Sequence, residues 1–324
     1  MPDDPDPEDL GVIGLDLGGT NLAAAFVGPD GRPLRPPVRK VHSDSGREAV
    51  IREMTALVRV VEADQGRALD RLGVGIAAQV DRRTGLVHHA PNLRWRDVPL
   101  GPQLEAALGV PVLVLNDARS ATIGEWRHGA GRGAEDLLVV SVGTGVGASL
   151  VIGGRLAEGA DGAIGEVGHT ILFAGGRRCH CPGRGCLEAY VGGWAIAERA
   201  REAVAAEGAA GTPLVERSGG LDRVGAGTVG VLAREGDPLA RQLFDETLGW
   251  LGAGIAGLVN AFNPRRVLLC GGVVDGWPET IPAVQSAVRQ HCQPPARNAT
   301  VAAGQLGVDA VLIGAASWAR SPGD

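Results

Sequence analysis

Apolar runs in this chain first alternate with glycine-rich turns and only later with helical repeats. Gly11 to Leu17 is a short apolar run interrupted by Asp16. The turn Gly18-Gly19-Thr20-Asn21 follows, and Leu22 to Val27 is apolar again before Gly28-Pro29-Asp30-Gly31. Short runs bounded by such residues predict strand, turn, strand, turn, strand, an antiparallel meander. The signal recurs downstream, where Asp136 to Val142 and Val146 to Ile152 are apolar, Gly143-Thr144-Gly145 separates them and Gly153-Gly154 ends the second. Placing Asp16 over Ser141 and Gly18 over Gly143 aligns the two segments. This reads as an internal duplication with one copy per domain; chance similarity between glycine-rich hairpins is the alternative.

Between the copies, Arg47 to Glu62 has helical periodicity and Arg71 to Ala77 reads as a strand. Pro102 to Leu108 is a short helix closed by Gly109, Val110 to Leu115 a buried strand, and Ala118 to Arg127 a helix. In the second half, Leu187 to Ala206 and Pro238 to Phe262 read as helices, Arg266 to Cys270 as a strand, and Pro282 to Gln290 and Ala310 to Ala319 as helices. Gly252, Gly254 and Gly257 cost the long helix about 1 kcal/mol each relative to alanine, so that helix is expected to be buried close to a neighbouring backbone. The pattern predicts an α/β protein of two similar halves with a cleft between them.

Composition narrows the function classes. A chain of 324 residues has room for about two domains. With 44% hydrophobic and 21% charged residues, the composition is ordinary for a globular protein and argues against disorder. A net charge of −6 and 3% aromatic residues provide neither a basic field nor a stacking platform, so no nucleic-acid partner is expected. Leu248 to Val259, the longest apolar stretch, is too short to span a bilayer, and no membrane partner is expected. Met1 to Leu10 lacks the basic and apolar regions of a secretory leader and reads as a disordered acidic tail. With Cys179, Cys181 and Cys186 clustered, the expected location is the reducing cytoplasm.

Three stretches carry candidate chemistry. In Asp16-Leu17-Gly18-Gly19-Thr20-Asn21, bare glycines let backbone N–H groups approach anionic oxygens and Thr20 adds a hydroxyl. A phosphate cradle with Asp16 near a phosphate-bound Mg²⁺ and a plain hairpin turn weigh about evenly here; the second loop, Gly143-Thr144-Gly145, tips the balance toward a polyphosphate. Asn116-Asp117 joins a strand to a helix, where Asp117 is either a helix cap, which the pattern alone favours, or a proton acceptor for an alcohol. Glu166-Val167-Gly168-His169 precedes Cys179-His180-Cys181-Pro182-Gly183-Arg184-Gly185-Cys186. Three thiolates and an imidazole satisfy a closed tetrahedral Zn²⁺ site, against unrelated thiols or a redox pair. His180 is a less suitable ligand than His169 because it sits between two ligating cysteines. Cys270 and Cys292 read as packing residues. His88-His89 reads as a solvated loop.

Taken together, these motifs resemble the ROK family of sugar kinases and sugar-responsive repressors, in particular its bacterial glucokinase-like members. The resemblance runs from about Gly11 to Ala319. The stretch from Glu166 to Glu188 looks like the family signature and zinc segment. Asp16 to Thr20 and Ser141 to Gly145 look like the two phosphate motifs, and Cys270-Gly271-Gly272 like the adenosine-side motif. Ala90-Pro91-Asn92-Leu93-x-Trp95 and Leu115-Asn116-Asp117-Ala118 look like the sugar loop and catalytic segment.

The resemblance implies an actin- and hexokinase-like fold of two ribonuclease-H-like domains with a central cleft: residues 11–117 joined by the C-terminal helix at about 304–324, and residues 118–303. It implies ATP-dependent phosphorylation of the 6-hydroxyl of glucose with Asp117 as general base. Asn92, Asn116, Asp117, Glu166, His169 and Glu188 would hold the sugar. Asp16, Gly18, Gly19, Thr20, Asn21, Gly143, Thr144, Gly145, Gly271 and Gly272 would bind ATP with Mg²⁺. His169, Cys179, Cys181 and Cys186 would hold a structural Zn²⁺. A homodimer is the favoured assembly. Kinases for N-acetylmannosamine, fructose or mannose and a non-catalytic sugar sensor are the alternatives; a repressor needs a helix-turn-helix for which the residues before the first strand leave no room. Pro182, Ala78-Gln79 and Ala148-Ser149 depart from the family pattern, near the zinc loop, the sugar and the second phosphate loop.

Overall fold

The computed structural model describes residues 11–41, 46–160, 164–206 and 212–322, so the tail expected at Met1 to Leu10 lies outside the described residues. The chain divides into two compact units. The first holds residues through Gly133, the segment Gly154–Ile164 and the chain from Gln305 onward; the second holds Ala134–Gly153 and Gly165–Gly304.

In the first unit, β1 (Val12–Leu17) and β2 (Asn21–Phe26) form the expected antiparallel hairpin, with Asp16 opposite Ala23. Strand β3 (Val38–Val41) pairs antiparallel to β2. Helix α1 (Arg47–Gln65) buries Val50, Met54, Leu57, Val58 and Val61, one stripe at helical spacing. Strand β4 (Arg71–Ile76) runs parallel to β1. A small antiparallel sheet follows, made of β5 (Gln79–Asp81), β6 (Leu86–Ala90) and β7 (Trp95–Pro99). His88 and His89, expected in a loop, lie on β6. Their strand is held by cross-strand partners on β7, Val87 opposite Val98 and His89 opposite Arg96, a pairing that the two consecutive histidines did not announce in the sequence. Helix α2 (Leu100–Leu108), β8 (Val112–Asn116) and α3 (Asp117–Arg127) complete this stretch. The main sheet has the order β3-β2-β1-β4-β8. The first unit thus continues past Asp117 through α3.

The second unit opens with the hairpin of β9 (Leu137–Val142) and β10 (Val146–Ile152). The two-residue β11 (Arg155–Leu156) lies in the first unit's segment Gly154–Ile164. The helix expected over Leu187 to Ala206 is instead α4 (Glu188–Val191) and α5 (Gly193–Ala206), because Gly192 between them takes extended backbone. Helices α6 (Pro213–Ser218) and α7 (Ala226–Glu235) had no clear sequence signal. Helix α8 (Pro238–Phe262) runs unbroken for 25 residues, capped by Asp237, whose Oδ1 accepts the Ala240 N–H at 2.7 Å. Two of its three expected glycines admit close neighbours: Cβ atoms at Gly252 and Gly254 would stand 2.7 Å from Ala287 Cβ and 2.6 Å from the Leu187 side chain, whereas Gly257 faces open space. Then come β12 (Arg266–Cys270), α9 (Gly272–Gly276), α10 (Thr280–His291) and β13 (Thr300–Ala303).

The strand sequence β10-β9-β12-β13 repeats β2-β1-β4-β8: an antiparallel hairpin followed by two parallel neighbours. The duplication read from the two glycine-rich turns is therefore a duplication of topology, and the α/β class with two similar halves holds. Helix α11 (Ala310–Arg320) returns to the first unit and lies directly on its sheet. Cβ atoms at Gly14 and Gly73 would stand 1.9 and 2.0 Å from the carbonyl oxygens of Leu312 and Ala315, so this contact requires bare backbone in β1 and β4.

Candidate functional site

In the first unit, the end of β8 delivers Asn116 and Asp117 to the start of α3. The cap of that helix is Asn116 rather than Asp117: its Oδ1 accepts the Arg119 N–H at 3.2 Å. Its Nδ2 donates to the Ala78 carbonyl at 3.2 Å and to Asp117 Oδ1 at 3.0 Å. Ala78 therefore meets Asn116 through its carbonyl, which any residue at that position would supply. The Ala118 N–H takes the same Asp117 oxygen at 2.8 Å. Both bonds fall on Oδ1 and fix the plane of the carboxylate. Burial nevertheless raises the Asp117 carboxyl above its ordinary value, with the three local hydrogen bonds opposing it.

Asp16, on β1, is a second buried carboxyl in the same unit. Burial foremost, then the charge of Asp117, pushes it up to about 7, while Arg39, itself paired with Asp309, pulls it down. A desolvated carboxylate lacking a cation of its own fits a divalent metal, which would supply the missing charge. The turn after β1 is tight: Gly18 N–H donates to the Asn21 carbonyl at 2.9 Å, and Asn21 begins β2. A Cβ at Gly19 would lie 3.3 Å from Asn92 Cβ, so the turn holding Gly18, Gly19 and Thr20 neighbours the loop Pro91–Leu93 that carries the exposed Asn92. Buried Trp95 anchors that loop at the start of β7.

In the second unit, Gly143-Thr144-Gly145 closes β9 onto β10, with Gly143 N–H donating to the Gly145 carbonyl at 3.0 Å. Gly271 ends the neighbouring strand β12 at φ +95°; a Cβ there would stand 2.7 Å from the Val142 carbonyl. Gly271 and Gly272 therefore lie beside this loop. Glu188 packs against it from the other direction. Its Oε2 accepts the Val146 N–H at 2.9 Å, and a Cβ at Gly145 would stand 2.6 Å from that oxygen. Its Oε1 accepts the Trp194 indole N–H at 3.2 Å. Trp194 belongs to no motif, and its role emerges only from the fold.

The four proposed zinc ligands converge. One ligand atom from each of His169, Cys179, Cys181 and Cys186 lies within 4.8 Å of every other. Cys179 Sγ is 3.7 Å from His169 Nδ1, and Cys181 Sγ is 3.6 Å from Cys186 Sγ. A tetrahedral zinc with thiolate arms of about 2.3 Å has edges of about 3.8 Å, so the donor set and spacing fit that ion. Burial raises the Cys179 thiol and, more strongly, the Cys186 thiol, which reaches about 12. The opposite ring nitrogen, His169 Nε2, lies 3.9 Å from Glu166 Oε2. The imidazole thus has one edge for the metal and one toward Glu166. His180 turns away from the cluster and stacks on Trp194. Cys292 is buried, its Sγ donating to the Ala256 carbonyl at 3.3 Å, as expected of a packing residue.

The first unit thus holds Asp16, Gly18, Gly19, Thr20, Asn21, Asn92, Asn116 and Asp117. The second holds Gly143, Thr144, Gly145, Gly271, Gly272, Glu166, Glu188 and the cysteine cluster with His169. Among the described residues, no helix is long and apolar enough to cross a membrane.

Comparison with known proteins agrees with the motif resemblance. The glucokinase of Streptomyces coelicolor is 34% identical over 325 residues, covering 96% of this chain and 98% of its own. The structure of a ROK family glucokinase from Streptomyces griseus in complex with glucose and AMPPNP is similar at a TM-score of 0.81 and 34% identity, over 95% of this chain and 99% of that one. A ROK family transcriptional regulator, a homologue of the Escherichia coli MLC protein, reaches a TM-score of 0.83 at 26% identity, over 95% of this chain and 78% of its own. These neighbours also share the expected actin- and hexokinase-like architecture. The ROK family model matches residues 12–321. The chain belongs to the ROK family.

Proposed function

We propose that the protein is an ATP-dependent sugar kinase acting on the 6-hydroxyl of glucose. The observation that carries this reading is the state of Asp117: its Oδ1 is fixed by Asn116 and Ala118, and burial raises the proton affinity of the carboxyl. A carboxylate so held is oriented to accept the proton of an alcohol as its oxygen attacks a phosphoryl group. Glu166, His169, Glu188, Asn92 and Asn116 hold the sugar hydroxyls in this reading, with Asn116 also positioning Asp117. The turns at Gly18–Asn21 and Gly143–Gly145 face the phosphates, with Gly271 and Gly272 on the nucleoside side. Bound near Asp16, Mg²⁺ supplies charge neutralisation to the phosphate oxygens. Zinc held by His169, Cys179, Cys181 and Cys186 fixes the ring of His169 and takes no part in the chemistry.

The similarity of the S. coelicolor and S. griseus glucokinases over nearly their whole lengths supports the choice of reaction and substrate. Ranking glucose, mannose, fructose and N-acetylmannosamine by kcat/KM with ATP and Mg²⁺ tests it. Glucose should lead. Preference for another sugar corrects the substrate, and absence of phosphoryl transfer to all four, with sugar still bound, replaces the kinase by a sugar-sensing relative. A cytoplasmic location and a homodimer accompany the proposal; sedimentation of the purified protein tests the dimer.

A further inference from the structure

We propose that Trp194 is a positioning residue: its indole aims the Glu188 carboxylate, and its ring ties that carboxylate to the metal-binding loop. Three contacts converge on this side chain and its backbone. The Nε1–H donates to Glu188 Oε1 at 3.2 Å. The ring stacks on His180, with centroids 3.8 Å apart and planes 17° from parallel. The backbone N–H donates to the Thr144 carbonyl at 3.2 Å, in the loop read as phosphate-binding. His180 lies between Cys179 and Cys181, so the stack presses on the loop that supplies two sulfurs to the metal.

Glu188 is held at both oxygens. Val146 N–H takes Oε2 at 2.9 Å, and the indole takes Oε1. A carboxylate with one N–H on each oxygen has a fixed plane, and its remaining lone pairs point in fixed directions. Without the indole, Oε1 keeps only the long 3.9 Å contact from the Cys179 thiol, which a metal-bound thiolate has no proton to donate, and the group pivots about the Val146 bond. Trp194 lies in the first turn of α5, which begins at Gly193 directly after the break at Gly192, so the helix start sets the indole's direction. The ring is half-buried, and an indole N–H in that setting takes an acceptor.

The proposal deepens the reading of Glu188 as a sugar ligand and rests on it. Trp194→Phe keeps a ring for His180 and removes the N–H. It should raise the KM for sugar about tenfold, the loss of one hydrogen bond to a charged group, and leave the KM for ATP within about twofold. His180→Ala keeps the N–H and removes the stack; it should speed the transfer of zinc to a chromogenic chelator severalfold while Trp194→Phe retains zinc as the parent does. Equal changes in both KM values for Trp194→Phe, or none, overturn the positioning role, and unchanged zinc release in His180→Ala overturns the tie to the loop. A readout independent of substrate separates this idea from the kinase reading. The indole N–H resonance that disappears in Trp194→Phe should exchange slowly with solvent and shift in Glu188→Gln. An unmoved resonance defeats the proposal whatever sugar the protein uses; a moved one with no sugar turnover in the parent leaves Trp194 holding Glu188 and defeats the kinase reading instead.

Discussion

Asn116 donates its side-chain amide to Asp117 Oδ1 at 3.0 Å while its own Oδ1 caps the helix that Asp117 begins. One side chain thus fixes both the backbone and the carboxylate plane of the proposed base. Asp117→Asn should lower kcat by about 10²–10⁴, the usual contribution of a positioned general base, with little change in KM for either substrate. Thermal unfolding should be no less cooperative, and zinc content should be unchanged. Steady-state kinetics alongside metal analysis checks all three.

Asp16 makes stability depend on pH in a predictable direction. Its carboxyl rises from 3.8 in the unfolded reference to about 7 in the fold, through burial first and Asp117 second. Between those values the folded state holds a proton that the unfolded chain releases, so this contribution is complete below 3.8 and is lost as pH rises through about 7. The metal-free protein should therefore have a lower Tm at pH 8 than at pH 5.5, Asp16→Asn should flatten the difference, and Mg²⁺ with nucleotide should recover stability at pH 8 only in the parent. Calorimetry at the two pH values, with and without Mg²⁺-nucleotide, gives the comparison.

Zinc uptake should release protons. Burial raises the Cys179 and Cys186 thiols, the latter to about 12, so the metal-free loop carries them protonated at neutral pH and the ion must displace those protons. Titration of metal-free protein with zinc in a weak buffer should acidify the solution, and affinity should fall steeply below neutrality. Cys186→Ser should lose the ion, with a rise in the KM for sugar as Glu166 and His169 lose their fixed frame. Metal retained at full occupancy in Cys186→Ser would contradict the assignment.

Gly314→Ala tests the seating of α11. A Cβ there would fall 1.6 Å from the Ser120 carbonyl oxygen in α3, a backbone atom that cannot swing aside. Overpacking of this kind costs about 1–3 kcal/mol or more. The Tm should drop by several degrees, while a surface change such as Val308→Ala should leave it near the parent value.

The two hairpins, α1, α8 and the gathering of His169 with the three cysteines were legible in the sequence because each depends on residues near one another in the chain. Asp16 and Gly18 mark one hairpin as Ser141 and Gly143 mark the other, and the cysteines declare their chemistry by type and spacing. The sheet carrying His88 and His89 was not legible, since Val87 finds Val98 only across a strand pair. The break at Gly192 did leave a signal, the adjacent pair Gly192-Gly193, but the helical periodicity on either side of it outweighed that signal. Asp117 looked like a cap because cap and N1 positions favour the same residues; only the hydrogen bond from Arg119 to Asn116 distinguishes them. Trp194 was silent because its partners, Glu188 and His180, meet it only after α4 and α5 part.

The seating of α11 against Gly14 and Gly73 also orders the birth of the molecule. The sheet that begins with the earliest described strand stays bare over Gly14 and Gly73 until a helix made some three hundred residues later emerges from the ribosome. The second unit, whose strands and helices are all synthesised before that helix, has its parts in hand first. A truncated nascent chain ending at Gly304 should therefore protect the later unit from protease while leaving the earlier one open to cutting.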